Sequence, residues 1–326
     1  MTPSNAWNGS PNAYLTFDIG GTKIASGLVW LPESGGDMPR VEGTVRIPTR
    51  PESGGGDVLA RLLALARERL EECRLNGVAL AGVGIGSAGV VDSASGSILS
   101  ATDLIPGWAG QRIADAFATI SDLPFYMVGD VGAHGLGEAT YGAGRGYGTV
   151  LSVGVGTGIG GAFINHGGLA SGAHGVAGHI GHISHGLGAG MRCSCGTRCG
   201  HIEPVASGTG LGTLYNRCRP DGRPEVSGGK EVCDLAAGGD PYAQEIMARS
   251  ARALGECLAG ACNLLDPAVV VVSGSVANAG DLWWRALREG FADAALPLVK
   301  PTPLLRGVLG DAAPMIGAAV AASRAA

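Results

Sequence analysis

The sequence predicts an α/β fold in which strands and helices alternate along the chain. Two observations carry this prediction. Apolar runs of strand length alternate with helical periodicity in both halves, and a strand, a glycine-rich turn and a returning strand occur once in each half. This internal duplication predicts two related lobes. A chain of 326 residues is long enough for two domains with cores of their own.

The first half supplies the elements of one lobe. Residues 14–17 form a strand that runs into a glycine turn, and residues 24–31 form the returning strand. Residues 58–75 place apolar side chains at helical spacing, with arginines and glutamates between them, which predicts an amphipathic helix. Residues 1–13 are polar at their start and are predicted to be a flexible tail. The remaining predicted elements are a buried strand over 80–85, a helix over 113–120 and a strand over 124–128.

The second half repeats this organisation. An apolar strand over 149–155 leads into a second glycine turn, and residues 162–164 form its returning strand. The proline at position 267 marks the end of a long amphipathic helix. The remaining predicted elements are that helix over 244–265, a valine-rich strand over 269–272 and a C-terminal helix over 311–326.

The composition excludes several classes of protein. The chain carries 23 Lys and Arg against 28 Asp and Glu, a net charge of −5, without the basic stripe that a nucleic-acid surface needs. No apolar run approaches the roughly 18 residues of a membrane span, and the chain does not start with the basic residues of a signal peptide. We therefore expect a cytoplasmic protein that binds neither nucleic acid nor membrane. The 58 glycines are expected at tight turns and close to ligands.

The first glycine turn reads Asp18-Ile19-Gly20-Gly21-Thr22-Lys23. Its backbone amides, hydroxyl and ammonium group suit a phosphate, whereas the carboxylate would repel phosphate unless Mg²⁺ lay between them. The turn therefore favours a metal–nucleotide complex, with an ordinary glycine hairpin as the alternative. The second turn, residues 156–161, strengthens the phosphate hypothesis because one polyphosphate could be held from both sides. Neither turn has P-loop or dinucleotide-fingerprint spacing.

One carboxylate lies between a strand and a helix. Asp130 follows the predicted strand 124–128 and precedes a helix-like stretch over 131–141. Such an aspartate is commonly a helix N-cap. It could also point into a cleft between the lobes and accept a hydroxyl proton during phosphoryl transfer. The two roles are compatible.

Histidines and cysteines are concentrated in one window. All seven histidines lie between positions 134 and 201, and the same window holds Cys193, Cys195 and Cys199. Thiolates and imidazoles at this spacing are the donors that tetrahedral Zn²⁺ prefers, and we expect structural zinc in a loop that shapes a pocket. Reduced surface cysteines are the alternative. The other five cysteines are expected to be buried, and His134, His166, His174 and His185 are not assigned to the site.

The motifs occur in an order that resembles the ROK family of sugar kinases and repressors, over roughly residues 14–322. They are DIGGTK at 18–23, GSAGVVD at 86–92, GD at 129–130, GVGTGIGG at 154–161, AGHIGH at 177–182, CSCGTRCGHIE at 193–203, ASG at 206–208 and SGSV at 273–276. The resemblance implies a two-lobed, actin-like fold of the hexokinase (ribonuclease H-like) type. It also implies transfer of the γ-phosphoryl of ATP to a sugar hydroxyl. We expect a small lobe over 14–130, joined by the C-terminal helix, and a large lobe over 131–310.

The resemblance also implies roles for individual residues. Asp130 matches the catalytic base. ATP and its phosphates are assigned to Asp18, Gly20, Gly21, Thr22, Lys23, Thr157, Gly158, Gly160, Gly161, Gly274 and Ser275. The sugar is assigned to Gly89, Asp103, Gly129, Asp130, His179, His182 and Glu203. The zinc ion is assigned to His182, Cys193, Cys195 and His201, with Cys199 as the competing fourth ligand.

Departures from the family pattern bear on the substrate. His179 stands where the family usually has a sugar-binding glutamate, and AGHIGH is similar to the bacterial N-acetylmannosamine kinases of the family. An imidazole changes the hydrogen-bond polarity toward the sugar hydroxyls, so an altered epimer preference is expected. Gly129 replaces the usual asparagine, which opens room for an N-acetyl group or weakens sugar binding. In the metal motif, His201 occupies the register of the third family cysteine.

The leading hypothesis is therefore an ATP-dependent kinase, with Mg²⁺ and structural Zn²⁺, that phosphorylates the 6-hydroxyl of N-acetylmannosamine. A glucokinase or another hexose or N-acetylhexosamine kinase is the alternative, and a sugar sensor without turnover is a third hypothesis. The 17 residues before Asp18 carry no Lys or Arg and are too few for a helix-turn-helix module, so a repressor is not expected. A homodimer is expected from the resemblance only.

Overall fold

The computed structural model describes residues 12–33, 37–196 and 199–325. The chain divides into two units. The first comprises the described residues up to Gly137 and those from Asp311 onward, and the second comprises Glu138–Gly310. Residues 1–11 of the predicted tail lie outside the described residues. The tail prediction was wrong at Ala13, which is fully buried and pairs with Trp30 in a sheet.

The first unit is built on one mixed five-stranded sheet and a small hairpin. Its strands are β1 (Ala13–Ile19), β2 (Lys23–Trp30), β3 (Arg40–Pro48), β4 (Leu80–Ser87), β5 (Val90–Asp92), β6 (Ser97–Ser100) and β7 (Phe125–Gly129). The sheet order is β3-β2-β1-β4-β7, with β1, β4 and β7 parallel to one another and β2 antiparallel to both of its neighbours. Strands β5 and β6 pair separately.

The sheet of the second unit repeats this arrangement. Its strands are β8 (Thr149–Val155), β9 (Ile159–Asn165), β10 (Gly168–Leu169), β11 (Val269–Ser273) and β12 (Leu304–Arg306). The order is β10-β9-β8-β11-β12, with β8, β11 and β12 parallel and β9 antiparallel to β8. In both units, the first strand of the hairpin also pairs with a parallel strand. The predicted α/β fold with a duplicated hairpin is therefore confirmed.

Helices alternate with the strands in both units. They are α1 (Gly55–Leu75), α2 (Ile113–Ala118), α3 (Asp130–Tyr141), α4 (Glu203–Ala206), α5 (Gly208–Cys218), α6 (Gly229–Ala237), α7 (Pro241–Leu265), α8 (Asp281–Ala294) and α9 (Ala313–Ala325). Helix α9 returns to the sheet of the first unit, where Gly84 of β4 lies against its backbone at Ala318 without room for a side chain. Among the described residues, no helix combines the length and the apolar character that crossing a membrane requires.

Strand β3 was not predicted, for a physical reason. It is an edge strand whose residues alternate between half-buried and exposed, and it carries charges at Arg40, Glu42 and Arg46. A sequence pattern detects a strand by its apolar face, and here that face is only half covered. The tryptophans at 108, 283 and 284, whose location the sequence left undecided, are all fully buried in the cores.

A buried carboxylate joins the two segments through which the chain passes between the units. Glu138 is inaccessible to solvent and lies in α3, directly after the first crossing. Its Oε2 accepts a hydrogen bond from the amide of Ala143 at 3.0 Å, and its Oε1 accepts one from the amide of Leu309 at 2.8 Å. Leu309 directly precedes the second crossing. One side chain thus accepts hydrogen bonds from half-buried residues of both connecting segments.

We expect the substitution Glu138→Gln to lower the free energy of unfolding by about 1–3 kcal/mol. The amide group of glutamine keeps the shape but offers one acceptor oxygen, so one of the two backbone amides loses its partner. Urea unfolding followed by tryptophan fluorescence measures the change. Glu245→Gln, on the exposed surface of α7, is the matched control and is expected to change stability by less than about 0.5 kcal/mol. Equal effects of the two variants would contradict the role of Glu138.

Candidate active site and metal centre

The first glycine turn connects β1 to β2 and is fixed by a neighbouring threonine. The amide of Gly20 donates to the carbonyl of Lys23 at 3.0 Å, which closes the turn. Thr49 is fully buried, and its hydroxyl donates to the carbonyl of Gly20 at 2.7 Å while its amide donates to that of Thr22 at 3.0 Å. The turn is therefore held from outside as well as from within. Thr49 was missed because nothing in its sequence context marks it.

The parallel strands bring two carboxylates to the same edge of the sheet. Asp18 in β1 is paired with Gly86 in β4, and Gly86 is paired with Val128 in β7, two residues before Asp130. A Cβ atom at Gly86 would lie 3.6 Å from the Cα of Asp130 and 3.7 Å from Oδ1 of Asp18. The predicted acids thus flank one glycine in the first unit.

This proximity raises the pKa of Asp18. Burial raises it most, and the negative charge of Asp130 raises it further, while Lys23 lowers it and Asp311 raises it, to a value of about 7 against the ordinary 3.8. The Nζ atom of Lys23 lies 3.6 Å from Oδ2 of Asp311, so its charge is shared with a second acid. A carboxylate in this environment gains from a bound cation.

Asp130 begins helix α3, and its Oδ1 accepts a hydrogen bond from the amide of Val131 at 2.8 Å. The residue before it has space around it, because a Cβ atom at Gly129 would meet only the carbonyl of Gly89, at 3.8 Å. Gly89 itself has a φ of 95° and lies against Ser100, which restricts that position to glycine. Asp103 is exposed and lies in a turn between β6 and α2.

The second glycine turn connects β8 to β9 in the second unit and is held by the start of α5. The amide of Gly208 donates to the carbonyl of Gly156 at 2.7 Å, and the hydroxyl of Thr209 donates to that of Thr157 at 2.5 Å. Gly274, with a φ of 100°, lies against the backbone of Val155 at the end of β8. The two predicted nucleotide segments of this unit, 157–161 and 274–275, therefore flank the end of one strand. Thr209 was missed, although the ASG motif just before it was noticed.

The clustered histidines and cysteines form a group that fits a metal. One donor atom each from His182, Cys193, Cys195 and His201 lies within 4.8 Å of the other three. The Sγ of Cys193 is 3.5 Å from Nδ1 of His182, and the Sγ of Cys195 is 3.6 Å from Nδ1 of His201. Zinc–ligand bonds of about 2.0–2.3 Å in a tetrahedron give edges of roughly 3.3–3.8 Å, so the donor set and these separations are consistent with structural zinc. Cys199 is exposed and is not in this group.

The two further residues assigned to the sugar lie beside this group. Glu203 begins α4, and its Oε2 accepts a hydrogen bond from the amide of Ile159 at 3.1 Å. His179 is exposed, and its ring centroid is 6.0 Å from that of His182. Burial lowers the pKa of His182, which favours the neutral imidazole that a metal binds.

Several histidines and cysteines that were not assigned to the site are held in structural contacts or buried. The Nδ1 of His185 accepts a hydrogen bond from the amide of Leu187 at 3.2 Å, and its Nε2 lies 2.9 Å from Glu256. Cys73, Cys257 and Cys262 are buried as predicted, whereas Cys218 and Cys233 are only half-buried. Burial raises the pKa of Cys257 and Cys262 to about 12, so neither thiol is reactive near neutral pH.

Comparison with known proteins gives consistent relatives over nearly the whole chain. The model of the ROK family matches residues 14–325. A glucokinase of Thermotoga maritima is 31% identical, covering 90% of this chain and 94% of the relative. An N-acetylmannosamine kinase of Yersinia pseudotuberculosis is 33% identical, covering 94% and 97%. A crystal structure of a ROK hexokinase from Thermus thermophilus matches with a TM-score of 0.79 and 33% identity, covering 96% of this chain and 98% of that one. A ROK glucokinase from Streptomyces griseus, in complex with glucose and AMPPNP, matches with a TM-score of 0.75 and 30% identity, covering 94% and 98%.

The raised pKa of Asp18 predicts a pH-dependent cost to stability. Between about pH 4 and pH 7 the folded chain keeps a proton on Asp18 that the unfolded chain has released, so the free energy of unfolding falls as the pH rises through this interval. The substitution Asp18→Asn removes this loss. We expect it to stabilise the protein by at least about 1 kcal/mol at pH 8 and by progressively less toward pH 4.

Thermal unfolding of both proteins across this pH range measures the difference. Asp122→Asn, at an exposed position of the same unit, is the control and should show no such trend. A gain that is the same at pH 4 and pH 8 would contradict the electrostatic cause.

Proposed function

The chain belongs to the ROK family, and from that premise we propose that it is an ATP-dependent sugar kinase that phosphorylates the 6-hydroxyl of N-acetylmannosamine. The observation that carries the kinase proposal is the pair of carboxylates, Asp18 and Asp130, at the ends of parallel strands beside a fixed glycine turn. One acid is available to hold a metal–phosphate complex and the other to accept a proton.

Asp130 is the proposed general base. It accepts the proton of the sugar 6-hydroxyl as the oxygen attacks the γ-phosphorus of ATP in line, and the bond to the bridging oxygen of ADP breaks. The hydrogen bond from the amide of Val131 to Oδ1 helps to fix the direction of this carboxylate. Positioning and electrostatic stabilisation supply most of the rate enhancement in such a reaction.

The phosphates of ATP are assigned to both glycine turns. In the first unit the binding residues are Asp18, Gly20, Gly21, Thr22 and Lys23. In the second unit they are Thr157, Gly158, Gly160 and Gly161, with Gly274 and Ser275 on the adenosine side. Mg²⁺ suits Asp18 because burial, and then the charge of Asp130, raise the pKa of this carboxyl group, so its ionised form gains from a hard cation. When bound, this ion would neutralise charge that develops on the phosphates.

The choice of sugar rests on residues that differ from the usual family pattern. His179 offers an imidazole in place of a carboxylate, and the 33% identical N-acetylmannosamine kinase of Yersinia pseudotuberculosis supports this substrate. The space around Gly129 suits an N-acetyl group, because a Cβ atom there would meet only one neighbour, at 3.8 Å. The further sugar-binding residues are Gly89, Asp103, Asp130, His182 and Glu203.

A glucokinase is the second candidate, favoured by the 31% identity to the enzyme of Thermotoga maritima, which is close to the identity with the N-acetylmannosamine kinase. The two candidate functions predict different roles for His179. If the imidazole selects the substrate, the substitution His179→Glu shifts preference toward glucose. A glucokinase would show little change in selectivity with the same substitution. A sugar sensor without turnover would bind a sugar in this experiment and produce no ADP.

A coupled ADP assay with N-acetylmannosamine, N-acetylglucosamine, glucose and mannose tests the proposal. We expect the largest kcat/KM with N-acetylmannosamine. Turnover of unacetylated hexoses alone would rule out the proposed substrate while leaving the kinase in place. Absence of turnover with all four sugars would overturn the kinase proposal.

The substitution Asp130→Asn is expected to lower kcat by about 10²–10⁴-fold, because the amide accepts no proton at neutral pH. The KM values should change far less, since asparagine keeps the size and one acceptor oxygen. Asp122→Asn is again the matched control and is expected to retain the wild-type rate. An undiminished kcat in Asp130→Asn would remove this residue from the role of base.

The proposed zinc ligands are His182, Cys193, Cys195 and His201. The ion is structural in this proposal: it holds the loop that carries Cys193 and Cys195 against the start of α4. A homodimer stays a prediction from the family resemblance.

Elemental analysis of purified variants tests the ligand set. We expect one zinc per chain in the wild type and in Cys199→Ser, because this thiol is outside the group of donors. His201→Ala is expected to lose the metal and to unfold at a lower temperature, since binding free energy of a structural site is folding free energy. Loss of zinc from Cys199→Ser with retention in His201→Ala would reverse the assignment.

A further inference from the structure

The carboxylate of Glu203 is shared between two segments of the second unit. Its Oε2 accepts a hydrogen bond from the amide of Ile159, at the start of β9 and directly after the second glycine turn, at 3.1 Å. Its Oε1 accepts a hydrogen bond from the hydroxyl of Ser194. A side chain that is held at both oxygens has a single direction, whereas one held at a single oxygen is free to rotate about its last bond.

The glycine at position 158 makes room for the first of these contacts. A Cβ atom at Gly158 would lie 2.8 Å from Oε2 of Glu203, so the glycine allows the carboxylate to reach the amide of Ile159. Glu203 therefore contacts the turn on the side where Gly158 has no side chain.

The donor on the other side is itself held by its neighbours. Ser194 lies between Cys193 and Cys195, two members of the metal group, so an ion bound by these residues would fix the backbone on both sides of the hydroxyl. The Sγ of Cys193 lies 3.6 Å from the same carboxylate oxygen, but a thiolate that binds a metal has no proton to donate. With the metal bound, the hydroxyl of Ser194 remains the side-chain donor to Oε1 among these contacts.

We propose that Ser194 is a positioning residue for sugar binding, acting through Glu203; this inference rests on the proposed function. A carboxylate has about four acceptor positions, and the amide of Ile159 and the hydroxyl of Ser194 occupy one on each oxygen. With two acceptor positions engaged, the carboxylate keeps a fixed direction, and the proposal assigns its other positions to sugar hydroxyls. Ser194 thus links the metal loop to Glu203, the proposed sugar-binding residue, and fixes the direction of its carboxylate.

The substitution Ser194→Ala is expected to raise the KM for the sugar about 5- to 20-fold, because Glu203 loses one of the two hydrogen bonds that fix its direction. The kcat and the KM for ATP should stay within about twofold, and one zinc per chain should remain. Ser194→Thr keeps the hydroxyl and is expected to restore the wild-type KM. In a Glu203→Gln background, Ser194→Ala should add less than about a twofold change, because its effect passes through Glu203.

Ser227→Ala is the matched control. It removes another serine-to-glutamate hydrogen bond in the same unit, of 2.9 Å to Glu231, and is expected to leave the KM for the sugar unchanged. An unchanged KM in Ser194→Ala, a loss of zinc in that variant, or an equal effect of Ser194→Ala in the Glu203→Gln background would each overturn the proposal.

A second measurement separates this inference from the proposed function. Amide-resolved hydrogen exchange without sugar is expected to show faster exchange at Ile159 in Ser194→Ala and unchanged exchange in Ser194→Thr. If the wild type phosphorylates no sugar, the kinase proposal fails. The exchange rate at Ile159 then tests only whether Ser194 positions Glu203. An unchanged rate in Ser194→Ala would overturn that role.

Discussion

The parallel alignment of β1, β4 and β7 is the constraint on which the candidate active site of the first unit depends. Parallel strands end at the same edge of a sheet, so residues near their carboxyl ends meet although they are far apart in the sequence. Here that edge receives Asp18 from β1 and Asp130 from the helix after β7, with Gly86 of β4 between them. A Cβ atom at position 86 would lie 3.1 Å from the Cβ of Ala133, so the glycine allows α3 to pack closely against β4 beside the two acids.

This arrangement is electrostatically unfavourable to the protein alone. Burial first, and then the negative charge of Asp130, raise the pKa of Asp18 to about 7, and the nearby Lys23 is partly engaged by Asp311. A fold selected for stability alone would place an amide or an apolar side chain at position 18. A carboxylate at this position suits a cation that accompanies the phosphates, because the positive charge would offset the repulsion between the two acids. The stability cost and the proposed chemistry therefore have the same origin.

The sequence was sufficient to predict the class of fold, both hairpins, most helices and the residues of each turn, because these depend on local patterns of apolar residues and glycine. It was insufficient where partners come from distant segments. Thr49 and Thr209 fix the two glycine turns, yet each is a single threonine that only the folded chain brings to its carbonyl. Glu138 was overlooked for the same reason, since a glutamate in a helix is ordinarily exposed and its partner Leu309 is 171 positions away. Strand β3 was missed because a half-covered edge strand lacks a continuous apolar face.

The donor set of the metal group has a consequence for its neighbour Glu203. Two thiolates and two neutral imidazoles balance the charge of a zinc ion, whereas three thiolates and one imidazole leave one net negative charge. Because Cys193 lies 3.6 Å from Oε1 of Glu203, any excess negative charge on the group would act directly on this carboxylate. A histidine at position 201 thus permits the metal loop and Glu203 to lie together without net repulsion. Cys199 is exposed and lies outside the group, and the imidazole of His201 is in the group instead, which is consistent with the close contact of Ser194 and Glu203.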